Sequence, residues 1–307
     1  MNFTELTKKE LCSKKRKPCC EKAAFYAFMR TAGSIVTSGK KIGLSIDGQS
    51  DCLEYFAAVA ERLYGANPVF SLSTKGTISN FTLLDDKSKL LLIDLGVLIE
   101  DESGLRLSLE PDAKLTASDC CKRAYLAGAF SGGGSVTIPT EKKTSTGYHL
   151  EFVFSMSSSA EYAEDLLASC GFFPKTIRRK ESWVIYFKQS EEIKTVLAYM
   201  GASKSVIRLS EIMVEREMSN QTNRETNCYL HNTDKTVIAS VKQCSAIEVI
   251  SQSIGLDALP EDLRETATGR INYATLSLND LADKLGISKS CLNHRLRKLV
   301  AISEELK

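Results

Sequence analysis

The stretch YLAGAFSGGGSV, residues 125–136, reads as the end of a helix that runs through three glycines into a strand. A glycine inside a helix costs about 1 kcal/mol against alanine, so Gly128, Gly132 and Gly133 imply a place where side chains have to be absent. The same pattern occurs earlier in the chain: Phe25-Tyr-Ala-Phe-Met-Arg-Thr-Ala-Gly33-Ser-Ile aligns with Leu126-Ala-Gly-Ala-Phe-Ser-Gly-Gly-Gly134-Ser-Val. Further on, Leu63-Tyr-Gly65-Ala-Asn-Pro68 matches Ser169-Cys-Gly171-Phe-Phe-Pro174, and Asp94-Leu-Gly96-Val97 matches Tyr199-Met-Gly201-Ala202. The matches stay in order, so the chain holds an internal duplication, its second copy longer in the loop from Glu141 to Tyr148.

Each copy reads as helix, two strands, helix, strand or hairpin, then helix. Strands are predicted at Ile42–Ile46, Ile78–Leu83, Leu150–Phe154 and Trp183–Phe187, where β-branched and aromatic residues alternate or cluster. A polar starter opens a helix at Ser157. In the duplicated helices Ala23, Ala27 and Thr31 correspond to Ala124, Gly128 and Gly132, each set spaced by four. That spacing lines one helix face with small residues, so two such helices can meet almost backbone to backbone at a pseudo-twofold axis. The fold class expected is α+β.

The 307 residues, 43% hydrophobic and 25% charged, have the composition of an ordinary globular protein and length for two domains. No apolar run approaches the roughly 20 residues of a membrane span, and MNFTELTKKELCSKKRKPCC lacks the apolar core of a secretory signal, so a cytoplasmic protein is expected. The ten cysteines include no CxxC pair, and with only three histidines they are expected to be reduced thiols; no metal site and no cofactor are predicted. The net charge of +2 is unevenly spread, with basic runs at Lys14–Lys17, Arg178–Lys180 and Lys284–Val300. Gly39-Lys40 lacks the upstream glycine of a phosphate-binding P-loop.

YLAGAFSGG resembles the LAGLIDADG motif of homing endonucleases, and FYAFMRTAG is a degenerate twin of it. The resemblance implies two saddles of β-strands on paired helices, with the last acidic letter of each motif binding the metal that cleaves DNA. Ala32 and Gly133 occupy those positions here, and no Asp or Glu occurs from Ala23 to Ile46 or from Lys122 to Thr140. Metal-assisted phosphodiester cleavage needs hard oxygen ligands. No catalytic residue is therefore assigned.

Beyond the repeat, Val206–Met218 reads as an amphipathic helix and Ser219–Asn232, rich in Asn and Thr, as a hinge or polar turn. A long helix is expected over Thr236–Ile254 and a short one over Leu259–Ala267. From Leu278 the sequence fits a helix-turn-helix: Ala282 is small where the helices cross, Gly286 suits the turn, and Leu281, Leu285, Ile287, Leu292 and Leu296 fill the core positions. Ser288 is a natural N-cap for the second helix. On that helix Lys289, Asn293 and Arg297 fall one turn apart, read as facing away from Leu292, Leu296 and Leu299, and are the expected base readers. Ser290 and His294 flank them, His294 reading equally well as a solvated or helix-capping residue, while Arg295 and Lys298 suit phosphate.

Nearly the whole chain resembles the WhiA regulators, in which a catalytically degenerate LAGLIDADG-like domain precedes a helix-turn-helix. The early Cys19-Cys20, Asn223-Arg224-Glu-Thr-Asn227-Cys228, Asn232, Lys235-Thr236 and the string from Ser288 to Leu299 carry the resemblance. The domains expected are a duplicated LAGLIDADG-like domain at 1–218, with halves at about 1–110 and 118–205 and a connecting helix; a hinge at 219–235; and a helical DNA-binding domain at 236–307, with the helix-turn-helix at 277–300. The resemblance implies a bacterial transcription regulator linked to sporulation, cell division or chromosome segregation, bound to double-stranded DNA in the nucleoid, with another transcription factor or RNA polymerase as further candidate partners. A residual DNA endonuclease and a protein- or ligand-binding scaffold are the alternatives.

Overall fold

The structure, a computed structural model, describes residues 1–102, 104–108, 110–139 and 147–306, so the predicted insertion falls, from Glu141 to Thr146, outside the described residues. Two compact units divide the chain, Met1–Val214 and Glu215–Lys307. The first opens with α1 (Phe3–Cys12), started by a capping box between Asn2 and Glu5. The first copy follows as α2 (Pro18–Ala32), β1 (Gly33–Ser38), β2 (Lys41–Asp47), α3 (Ser50–Tyr64), β3 (Val69–Leu72), β4 (Ile78–Leu83) and α4 (Asp86–Asp94). A hairpin of β5 (Leu98–Asp101) and β6 (Gly104–Leu107) leads to the second copy: α5 (Asp119–Gly133), β7 (Gly134–Thr137), β8 (His149–Phe154), α6 (Ser157–Ser169), β9 (Lys175–Arg179), β10 (Ser182–Phe187) and α7 (Ser190–Met200).

Each copy makes one antiparallel four-stranded sheet, in the order β1-β2-β4-β3 and β7-β8-β10-β9. The duplication read from the glycines is thus a duplication of topology, and the unit is the pseudo-twofold α+β domain that it predicts. Alternation decides which face is covered. Leu44, Ile46, Phe81 and Leu83 of one sheet and Leu150, Phe152, Phe154, Ile185 and Phe187 of the other are buried in one continuous core. On the other face of the first sheet, Asn80 donates to Ser45 Oγ at 2.8 Å and to Asp47 Oδ1 at 3.2 Å.

α2 and α5 supply the centre of that core. A Cβ added to Gly128 would collide with the Ala24 carbonyl oxygen and lie 2.7 Å from its carbon, and one on Gly132 would strike the Thr31 hydroxyl. Close approach of two backbones is therefore why position 128 is glycine, while at 132 the Thr31 side chain takes the space. The residue beneath Gly128 is Ala24, one position round the helix from the predicted row, although Ala23 and Ala27 are buried too.

α1 ties the ends of the unit together. Thr4 exchanges hydrogen bonds with the backbone of Val136 at 3.0 and 2.9 Å. The Glu10 carboxylate accepts from the backbone N–H groups of Lys204 and Ser205 at 2.7 and 2.9 Å and from the Ser205 hydroxyl at 2.8 Å. These groups open α8 (Ser203–Ser253), whose first N–H donors have no partner within the helix.

The predicted hinge at 219–235 is helical: α8 runs through it without a break. No glycine or proline lies between Ser203 and Ser253 to stop a helix. Thr222, Thr233 and Thr236 return their hydroxyls to the carbonyls of Met218, Tyr229 and Asn232 at 3.0, 2.9 and 2.9 Å, so the polar residues sit on the helix instead of diverting it.

In the second unit the later part of α8 packs with α9 (Glu261–Asn272), α10 (Leu278–Leu285) and α11 (Lys289–Glu305). α9 runs further than the predicted Leu259–Ala267. Ile247, Ile250, Leu263, Leu281, Leu292, Leu296 and Leu299 form its separate core. No helix among the described residues is long and apolar enough to cross a membrane.

Candidate nucleic-acid interface

Ser277 caps the start of α10 with a side chain that accepts from Asp280 N–H, and Gly286 caps its end in the left-handed region with φ 65°. Ser288 then caps α11 by accepting from Cys291 N–H at 3.2 Å. Ala282, 2% exposed, lets the two helices cross closely, with Leu281, Leu292 and Leu296 buried and Leu285 and Ile287 packed at the edge. The predicted helix-turn-helix is present with its predicted turn and cap.

Lys289, Ser290, His294, Arg297 and Lys298 are exposed, as is Ser288, whose hydroxyl lies 3.1 Å from that of Ser290. Asn293 and Arg295 are half-buried. Each residue turns the helix by about 100°, which places the Lys289, Asn293 and Arg297 row about a quarter turn from the leucines, not opposite them. The outermost row is Ser290, His294 and Arg297. Arg295 is turned back on the protein: its guanidinium lies 3.5 Å from the Asp262 carboxylate of α9 and donates to the Asp262 carbonyl at 3.3 Å.

A pocket beside the start of α11 gathers Lys235, Arg270, Ser277, Asn279 and Lys289, without an acidic residue in its lining. Arg270 is 1% exposed; its Nη1 donates to the Leu276 carbonyl at 2.9 Å, while Nε has no partner among the described residues. Burial holds its guanidinium pKa below the usual value. Arg270 carries no mark of a role in the sequence, because an arginine in the interior of a helix gives no local signal of what will enclose it.

At the far end of the first unit's helix pair, α2 and α5 stop at Ala32 and Gly133, and neither position offers a side-chain oxygen. Their opposite ends differ from the sequence reading. Cys19, Cys20, Cys120 and Cys121, expected to be separate thiols without a metal arrangement, bring all four Sγ atoms within 4.8 Å of one another.

Residues 122–219 match the family profile of the WhiA LAGLIDADG-like domain, and residues 222–303 that of the WhiA C-terminal HTH domain. Over 100% of its length the chain is 35% identical to a probable cell division protein WhiA of Bacillus cytotoxicus, covering 98% of that protein. The chain belongs to the WhiA family. A probable cell division protein WhiA of Bacillus cereus is 34% identical over the same shares. The crystal structure of full-length DUF199/WhiA from Thermotoga maritima superposes with a TM-score of 0.59 at 21% identity, covering 99% of both chains. The WhiA architecture, a LAGLIDADG-like domain followed by a helix-turn-helix region, is therefore the architecture of this chain.

Proposed function

We propose that this WhiA-family chain is a sequence-specific DNA-binding transcription regulator, connected with cell division, chromosome segregation or sporulation, that does not cleave DNA. The observation that carries the reading is the capped α11, held by Gly286 and Ser288, with no acidic residue from Lys284 to Val300 to repel a phosphate backbone. Arg297, with Ser290 and His294 beside it, is placed to meet base edges, and Asn293 reaches them from the flank. Lys298 suits a phosphate on one side. The pocket lined by Lys235 and Lys289 suits one on the other. Arg295 serves first to hold α11 on α9 and meets phosphate only by leaving Asp262. Two separable domains, the nucleoid as the place of action, and RNA polymerase or a second transcription factor as a partner complete the proposal.

Fluorescence anisotropy on a cognate and a scrambled duplex across a salt series tests it. Arg297→Ala and Asn293→Ala are expected to flatten the preference between the duplexes, each good base contact contributing about 1–3 kcal/mol. Lys298→Ala is expected to weaken both complexes alike and lower the salt slope by about one. Specificity unchanged in the α11 variants but abolished by substitution of Arg178–Lys180 would move the reading surface to the first unit.

A further inference from the structure

We propose that Cys19, Cys20, Cys120 and Cys121 form a closed four-thiolate site for a single divalent ion, zinc in the cell, that joins the two copies of the first unit. Each pair occupies the second and third helical positions of its helix, Cys19 and Cys20 on α2 after Pro18, Cys120 and Cys121 on α5 after Asp119. The offset between the pairs is that between Gly33 and Gly134, so the pseudo-twofold axis that brings the helices together also brings the thiols together. The sulfurs lie within 4.8 Å of one another, and tetrahedral bonds of about 2.3 Å would set them about 3.8 Å apart, a contraction of side-chain rotamers alone. A cluster with bridging sulfides would spread its cysteines wider.

The surroundings suit the charge. Thiolates at the N-termini of two helices face the positive ends of both macrodipoles, and Lys17 adjoins the first pair, while the acidic residues of the same first turns are engaged elsewhere, Asp119 with Tyr199 and Arg123 and Glu21 with Arg62. Ser118 Oγ lies 3.3 Å from Cys120 Sγ and can donate to it, the kind of outer contact that orients a ligating sulfur. Cys20 and Cys121 are buried while Cys19 and Cys120 are exposed, which leaves a route for an ion. All the cysteines are free, with Cys19 and Cys20 sulfurs 4.0 Å apart. An all-sulfur donor set selects zinc over magnesium or calcium, and four protein ligands leave no position for water, so the ion would crosslink and not catalyse. Each entering ion displaces the protons of those ligands still present as thiols. The site is also remote from the vestigial nuclease end: twelve residues from Cys20 to Ala32, at about 1.5 Å per residue, are about 18 Å of helix.

Full-length reduced protein, stripped of metal, is titrated with Co²⁺ under anaerobic conditions. One cobalt per chain is expected, with a thiolate-to-cobalt charge-transfer band and the intense visible bands of tetrahedral coordination, both lost when zinc is added. The double variant Cys19→Ser/Cys120→Ser, at exposed positions that spare the core, is expected to lose both bands while keeping its far-ultraviolet circular dichroism, and Cys228→Ser to keep them. Absence of the bands in the reduced wild-type chain, or their persistence in the double variant, would overturn the assignment.

Discussion

Gly128→Ala places one methyl group where α2 and α5 touch, and the structure sets the size of the effect. The new carbon would meet the Ala24 carbonyl oxygen and lie 2.7 Å from its carbon and 2.8 Å from its Cα, against about 3.5–4.0 Å for an unstrained carbon contact. These three nearest atoms are all backbone, so no rotamer change relieves the clash and the helices must part by about 1 Å. Overpacking of this kind costs about 1–3 kcal/mol, at the upper end where backbone must move, while alanine gains about 1 kcal/mol of helix propensity over glycine. A net loss of about 2 kcal/mol is expected. Trp183 is the only tryptophan and lies on β10, so its fluorescence during urea unfolding of the full chain reports the first unit. A lower urea midpoint with an unchanged slope is the expected result. A midpoint equal to or above that of the parent chain would show that the helix pair has room, and the packing account of the glycine motif would fall.

No nicking of supercoiled plasmid is expected with Mg²⁺ or Mn²⁺, since Ala32 and Gly133 offer no ligand; nicking that copurifies with the protein and disappears in variants of the Gly133 turn would refute this. Glu151 is expected to make the first unit acid-sensitive. Burial alone would raise its carboxyl, but hydrogen bonds with His149 at 3.1 Å and Arg179 at 3.0 Å outweigh that and hold it below the ordinary carboxylate range. Its contribution is therefore complete above the unfolded pKa of about 4.3 and lost as pH falls through the lower folded value. Glu151→Gln is expected to cost about 1 kcal/mol at neutral pH, with the gap narrowing below about pH 4 in Trp183-monitored urea midpoints; a gap independent of pH would count against the ion pair.

Much of the architecture was legible because its signals are local. Glycines at fixed spacing, a small residue at a helix crossing and a serine before a leucine row each state their own backbone requirement, and both copies of the repeat and the helix-turn-helix follow from them. The helical course of residues 219–235 was less legible: Asn and Thr favour turns when they bond to their own backbone, and only the absence of Gly and Pro reveals that they bond one turn back instead. The rotation of the α11 stripe follows from the Leu292, Leu296 and Leu299 spacing, which sets the buried direction a quarter turn from where a simple two-faced helix would have it. Four cysteines converging from two distant CC pairs escape any search for local CxxC spacing, because the ligand geometry is made by the symmetry axis and not by a loop.

The three hydrogen bonds from the start of α8 to Glu10 also bear on synthesis. Their partners are 194 and 195 residues apart in sequence. At about 5–20 residues per second, the ribosome finishes α1 about 10–40 s before it makes the segment that α1 caps. During that interval Phe3, Leu11 and Cys12, all buried in the finished unit, can pack first against α3 and then, once residue 137 is made, against α5 and β7, while Glu10 still lacks its partners. α1 is thus packed in two stages, its apolar side early and its Glu10 carboxylate only when the start of α8 has emerged.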